Sequence, residues 1–157
     1  MEFVPGHIAK RPFMGKMILI AHRGNIDGPN PAKENYPSYL NKALDKGYNV
    51  EVDVWFVGGE WFLGHDGPQY DVDMTFLLKE GLWCHAKNFA ALERLLSMGV
   101  HCFWHDEDAA TLTSEGYIWT YPGKPLTNRS ICVMPEKASY KTIECAGVCT
   151  DYVTRYE

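Results

Sequence analysis

Glu51 and Asp53 stand two residues apart in NVEVDVWFV, residues 49–57, a run that alternates with the period of a β-strand. Residues i and i+2 share a face of a strand. Both carboxylates therefore point one way and Val50, Val52 and Val54 the other. On the inward face of a buried strand, two carboxylates repel each other and lose hydration, so they need a cation or a shared proton. A hard divalent cation such as Mg²⁺ or Ca²⁺, bound through oxygen, resolves the conflict. Alternation alone leaves a second reading open, an edge strand with its acidic face in solvent. His22 and His65 each close an apolar run, near Gly24 and Gly64. Flanking a carboxylate pair, they can supply the base and the acid of phosphodiester cleavage. Taken singly, each is more often a hydrogen-bonded structural histidine.

The elements that must hold these residues are short. MILIAH (17–22) is a buried-strand pattern. Tyr36, Leu40, Ala43 and Leu44 recur at helical spacing, with Pro37 near the start and Gly47 past the end. Gly58 and Gly59 break the strand at 49–57, and WFLGH (61–65) folds back as a hairpin arm. A helical turn is expected near 74–79 and a strand at LWCH (82–85). Asn88 caps a helix whose Phe89, Leu92 and Leu95 or Leu96 share a face, ended by Gly99. Further strands follow at 100–105, 117–121, 131–134 and 146–153. Seven strands, several separated by helices, indicate an α/β fold with a parallel sheet. Nearly every strand ends in polar residues: His22–Arg23, His85 to Lys87, His105–Asp106, Thr120–Tyr121, Glu136 and Thr150–Asp151. In parallel α/β folds those ends gather on one face, which carries the active site.

Composition narrows the class. The chain of 157 residues is 46% apolar and 22% charged, as globular proteins are. A net charge of −5 argues against a nucleic-acid partner, and an anionic substrate has to be attracted locally. No apolar run is long enough for a membrane span. Five cysteines, an odd number set mostly in apolar stretches, suit buried thiols of a cytoplasmic protein better than a disulfide framework. Residues 1–16 lack periodicity and a signal-peptide core. They read as an arm or an expression remnant, with His7 given no role, Met17 as the natural start and 17–157 as one domain.

His22-Arg23-Gly24, Glu34-Asn35, Glu51-Val52-Asp53 and His65-Asp66-Gly67, in that order, resemble the signature of the glycerophosphodiester phosphodiesterases. That family belongs to the phospholipase-C-like phosphodiesterases. Trp119-Thr120 and the GVCTDY run from Gly147 to Tyr152 are weaker echoes. The resemblance implies metal-dependent hydrolysis of a small phosphodiester, with His22 and His65 as acid and base and Glu51 and Asp53 on the metal. Arg23 would hold a phosphate oxygen, while Glu34, Asn35 and Asp66 would support the site. Lys87 would meet a phosphate oxygen as well. Trp119, near a strand end, is expected against the substrate's alcohol portion.

Two departures qualify the match. The family's third metal ligand is a Glu two residues before a Lys, and here His85-Ala86-Lys87 holds that place. Histidine would move affinity from Mg²⁺ and Ca²⁺ towards Mn²⁺ or Zn²⁺, unless Glu136 or Asp106 completes the shell. The chain also falls short of the roughly 250 residues of a full eight-unit barrel. The expected fold is therefore a reduced (β/α) TIM-barrel-like one, with about seven mostly parallel strands, several helices shortened or missing, and a homodimer as one way to cover exposed edges. Two other functions stay open: a phosphate-ester binding module without turnover, and a lyase that stops at a cyclic phosphate.

Overall fold

The apolar runs form strands at every expected position in the computed structural model, which describes residues 16–157. Residues 1–15 of the expected arm, with His7, lie outside the described residues. The strands are β1 (Ile18–His22), β2 (Asn49–Val57), β3 (Glu60–Leu63), β4 (Tyr70–Val72), β5 (Leu82–Ala86), β6 (Cys102–Phe103), β7 (Ala110–Leu112), β8 (Ile118–Thr120), β9 (Ser130–Val133) and β10 (Gly147–Thr150). Three helices accompany them: α1 (Pro37–Asp45), α2 (Met74–Leu77) and α3 (Phe89–Ser97). No helix among the described residues is long and apolar enough to cross a membrane.

The strands make one curled, mostly parallel sheet. Parallel pairing runs β6-β5-β2-β1-β10-β9-β8, so neighbours in sequence are neighbours in space, apart from the small antiparallel strands. β2 outlasts β1, which pairs with it only as far as His22 opposite Glu51. The overhang pairs instead with β3, antiparallel, from Val54 opposite Leu63 to Val57 opposite Glu60. β4 extends that ribbon, and β7 folds back on β8. β6 and β8 share no ladder. The seam between them is crossed by Phe103 against Trp119, ring centres 4.5 Å apart, and by Ser114, which donates to the Cys102 carbonyl and accepts from the Cys102 amide.

The two faces of the sheet bury different things. Val50, Val52 and Val54 point outward and pack beneath Leu40 and Ala43 of α1 and Ala91 and Leu95 of α3. Ile20, Trp83, Phe103, Trp119, Ile131 and Cys149 fill the concave side. Pro37 opens α1 at its first position, and the Asn88 side chain accepts from the Ala91 amide to cap α3. The buried face of α3 is the expected one at Leu92 and Leu95 but not at Phe89. Phe89 is 75% exposed and Leu96 half exposed, because Ala91 and Leu95 take the sheet-facing positions and Phe89 stacks on Trp104 instead. The strand expected at 100–105 is only two residues long. All five cysteines are free and buried.

Gly147 marks the tightest approach of β10 to β1. A Cβ there would collide with the carbonyl oxygen and Cβ of Ile18. We predict that Gly147→Ala lowers the urea unfolding free energy by about 1–3 kcal/mol, the usual cost of overpacking. An unchanged midpoint would show that the strands part easily.

Candidate active site

The C-terminal ends of the parallel strands surround a cavity of about 90 Å³, lined by His22, Arg23, Glu51, Asp53, His65, His85, His105, Trp119, Tyr121 and Val133. Period two explains the convergence. Residues on the concave face of each strand alternate with core residues, so the last inward residue of each run meets the others at one rim. A larger hollow of about 420 Å³ lies at the opposite end of the sheet, by Ile18, Asn49, Trp83 and His101. Its indole and imidazole are already bonded, Trp83 donating to Asn49 at 3.2 Å and His101 Nε2 sharing a hydrogen bond with the Thr113 hydroxyl at 2.8 Å. The smaller cavity therefore holds the unmet chemistry.

Glu51 and Asp53 are 3% and 1% exposed, which removes the reading of a solvent-facing acidic edge. Asn35 clasps Asp53 from two sides: its amide donates to Oδ2 at 2.8 Å, and its oxygen accepts from the Asp53 backbone at 3.0 Å. Arg23 Nε lies 3.4 Å from Asp53 Oδ2 and Nη1 donates to Glu34 at 3.2 Å. His85 Nδ1 lies 3.1 Å from Asp53 and 3.9 Å from Glu51. Burial raises the Glu51 pKa, and the charge of Asp53 adds to it. Burial works on Asp53 too, but His85, Arg23 and Asn35 outweigh it and hold that carboxyl below its ordinary range. Two carboxylates pushed apart in this way are a site short of positive charge.

Glu51, Asp53 and His85 each offer a ligand atom within 4.8 Å of the others, buried or nearly so, and a divalent cation fits that set. Neither alternative ligand reaches it. Asp106 lies on an exposed loop beside Asp108, and Glu136 is engaged by the Thr150 hydroxyl and the Asp151 amide.

His22 and His65 occupy different settings. His22 Nδ1 meets Asp151 at 2.7 Å, and its Nε2 is 3.8 Å from Glu51. Burial disfavours a charged imidazole there, yet the Asp151 hydrogen bond and the Glu51 charge overcome it and raise the pKa. Asp151 is fixed in turn by the Asn25 amide at 2.9 Å, and Asn25 by the Tyr39 hydroxyl. His65 hangs from the returning hairpin, where Gly64 donates to the Asp53 carbonyl. Its imidazole is 44% exposed and bonded to the open Asp66 at 2.8 Å.

Lys87 and Trp119 differ from expectation. Lys87 does not line the cavity; its backbone pairs with Val54, and its charge is felt at His105. Trp119 lines it only from beneath, 3% exposed and packed against Phe103 and Trp83. It is a floor, with no open face for an alcohol portion. Asp151, His105 and Tyr121 belong to the site although sequence reasoning gave them no role. Their signal was the polar residue after an apolar run, already present at 105, 121 and 151.

Two measurements test this arrangement. Calorimetric titration with Mn²⁺ or Zn²⁺ should show binding that His85→Ala weakens about tenfold or more, while His85→Glu shifts preference towards Mg²⁺ and Ca²⁺. Equal affinities in all three proteins would remove His85 from the shell. For His22, proton NMR should give a pKa above the ordinary value of about 6.5, falling when Asp151→Asn removes the partner. A raised histidine stabilises the fold fully below the unfolded pKa, and that contribution is lost as pH rises through the folded one. An unshifted His22 in the variant would break the pairing. Compared with family models, curated proteins and solved structures, the chain has no match, so the reading of this site rests on its own geometry.

Proposed function

We propose that the chain is a metal-dependent phosphodiesterase with a reduced barrel of the phospholipase-C-like type, acting on a small phosphodiester. The observation that carries this reading is the meeting of His22, Arg23, Glu51, Asp53 and His85 in one cavity at the strand ends. A divalent cation bound by Glu51, Asp53 and His85 would offset their charge and supply electrostatic stabilisation to the phosphoryl oxygens.

The rest of the chemistry belongs to the side chains. Asp151 orients His22 and holds its Nδ1 as a donor, leaving Nε2 towards Glu51 and the cavity. That is the arrangement of a general base, which takes a proton from the attacking hydroxyl at Nε2. Arg23, fixed by Glu34 and facing Asp53, presents its guanidinium to a phosphate oxygen. His65, on the more open side, returns a proton to the leaving alcohol. A cavity of about 90 Å³ suits the phosphoryl group alone, so the alcohol portions remain at the mouth.

Turnover of bis(p-nitrophenyl) phosphate with Mn²⁺, Mg²⁺, Ca²⁺ or Zn²⁺ tests the proposal. Exhaustive chelation should abolish it, and His22→Ala should lower kcat by about 10²–10⁴. Phosphorus NMR of a glycerophosphodiester reaction separates hydrolysis from formation of a cyclic phosphate. Metal binding without turnover of either substrate would leave a binding module in its place.

A further inference from the structure

Among the described residues, the buried side-chain nitrogen and oxygen atoms without a hydrogen bond are Arg23 Nε, which faces Asp53 Oδ2 at 3.4 Å, His105 Nδ1 and Tyr121 Oη. All three belong to residues lining the one small cavity. They come from separate segments, after β1, β6 and β8, so local chain geometry does not explain their meeting. The His105 and Tyr121 rings lie 4.2 Å apart, and the His105 ring is 5.2 Å from His85. Buried polar atoms are nearly always paired, and the exceptions call for a ligand or another specific cause. The Trp119 indole beside Tyr121 has only a proton to give, so it cannot accept the phenolic one.

We propose that Arg23, His105 and Tyr121 form an oxyanion subsite that binds the oxygens of a singly charged phosphoryl group through one cationic and two neutral donors. The inference rests on the phosphodiesterase reading and adds two donors, His105 and Tyr121, to its phosphate site. Arg23 is the one lysine or arginine lining the cavity, and its guanidinium is already shared with Glu34 and Asp53. A single guanidinium shared in this way suits a diester monoanion better than a dianionic monoester. Tyr121 and His105 add direction without adding charge, which discriminates by geometry rather than by attraction.

The test uses the full chain with Mn²⁺, and dimethyl phosphate as the monoanionic probe against phenyl phosphate as the dianionic one. NMR titration should show dimethyl phosphate binding more tightly. Tyr121→Phe and His105→Leu should each weaken it about tenfold or more, as for a lost hydrogen bond to a charged group. His105→Asn, which keeps a donor near the Nδ1 position, should recover part of the loss. Because the Tyr121 hydroxyl serves no fold partner, Tyr121→Phe should leave Tm unchanged or raise it. If His105→Leu fails to fold, Tyr121→Phe decides alone. Unchanged dimethyl phosphate affinity in Tyr121→Phe, or a clear fall in its Tm with affinity intact, overturns the subsite. Tighter binding of phenyl phosphate overturns its charge selectivity. Turnover of bis(p-nitrophenyl) phosphate with a Tyr121-independent KM removes the subsite and leaves the enzyme reading standing. Tyr121-dependent binding without turnover does the reverse. A wild type that neither binds nor turns over removes both.

Discussion

Glu51 and Asp53 lie on one face of β2 with almost no water on them, and the path of several other segments follows from that. Two buried charges of like sign cost several kcal/mol unless they are met by donors or by opposite charge. Three segments meet them. The loop after β1 brings Arg23, the turn before α1 brings Asn35, and β5 brings His85. Each of these also performs a structural task. The Arg23 backbone accepts from Asn35 and donates to Glu51, so the loop is stitched to the strand beneath it. The carboxylates thus organise the rim before any substrate is considered, and a cation would complete a set of interactions already mostly built.

The two ends of the curled sheet are covered in different ways. On the β1-β2-β5 side, α1 and α3 bury the outward valines. On the β9-β10 side the cover is irregular chain. Cys132, Cys145 and Val148 pack under Leu126, Tyr140, Ile143 and Tyr156, with only a short 3-10 turn at Pro135–Lys137 between β9 and β10. On this side loops and short turns, not α-helices, cover the sheet. The seam at β6 and β8 is the counterpart of that economy. The two-residue β6 pairs only with β5, and the aromatic pair Phe103 and Trp119 closes the gap by side chains. Contacts of this kind need no register.

Much of this was legible because the relevant signals are local. Alternation at 49–57 gives both the strand and the shared face of its carboxylates. Asn88 and Pro37 mark helix starts by their own chemistry. What escaped is what depends on distant partners. β4 and β7 are three-residue strands made by pairing with β3 and β8, and nothing in YDV or ATL declares it. Phe89 has the spacing of a core residue, but the choice of buried face belongs to the sheet. Asp151 reads as one more polar residue at the end of a run. Its importance lies 129 positions away at His22, a separation that no window on the sequence spans. Trp119 shows the opposite error: its position near a strand end was read correctly, but its depth below the rim depends on Trp83 and Phe103.

Strain marks the same residues independently. Three non-glycine residues have positive φ among those described, Arg23 at 53°, Asn35 at 65° and Met134 at 48°. Each costs roughly 1 kcal/mol or more, so each must be held by something stronger. Arg23 is held by its bond to the Glu51 carbonyl, and in that pose its guanidinium reaches Asp53 and Glu34. Asn35 is held by its two hydrogen bonds to Asp53. Met134 bonds the Cys149 carbonyl and turns the chain into the Pro135–Lys137 segment, where Glu136 fixes Thr150 and the backbone of Asp151. Asp151 in turn orients His22. Every strained residue is therefore one or two hydrogen bonds from the carboxylates or from the histidine beside them. A fold that needed these turns only for its connections could have placed glycine there, as it does at Gly24 and Gly47. For Arg23 and Asn35 the side chain itself is what the position requires, and for both that side chain points at Asp53.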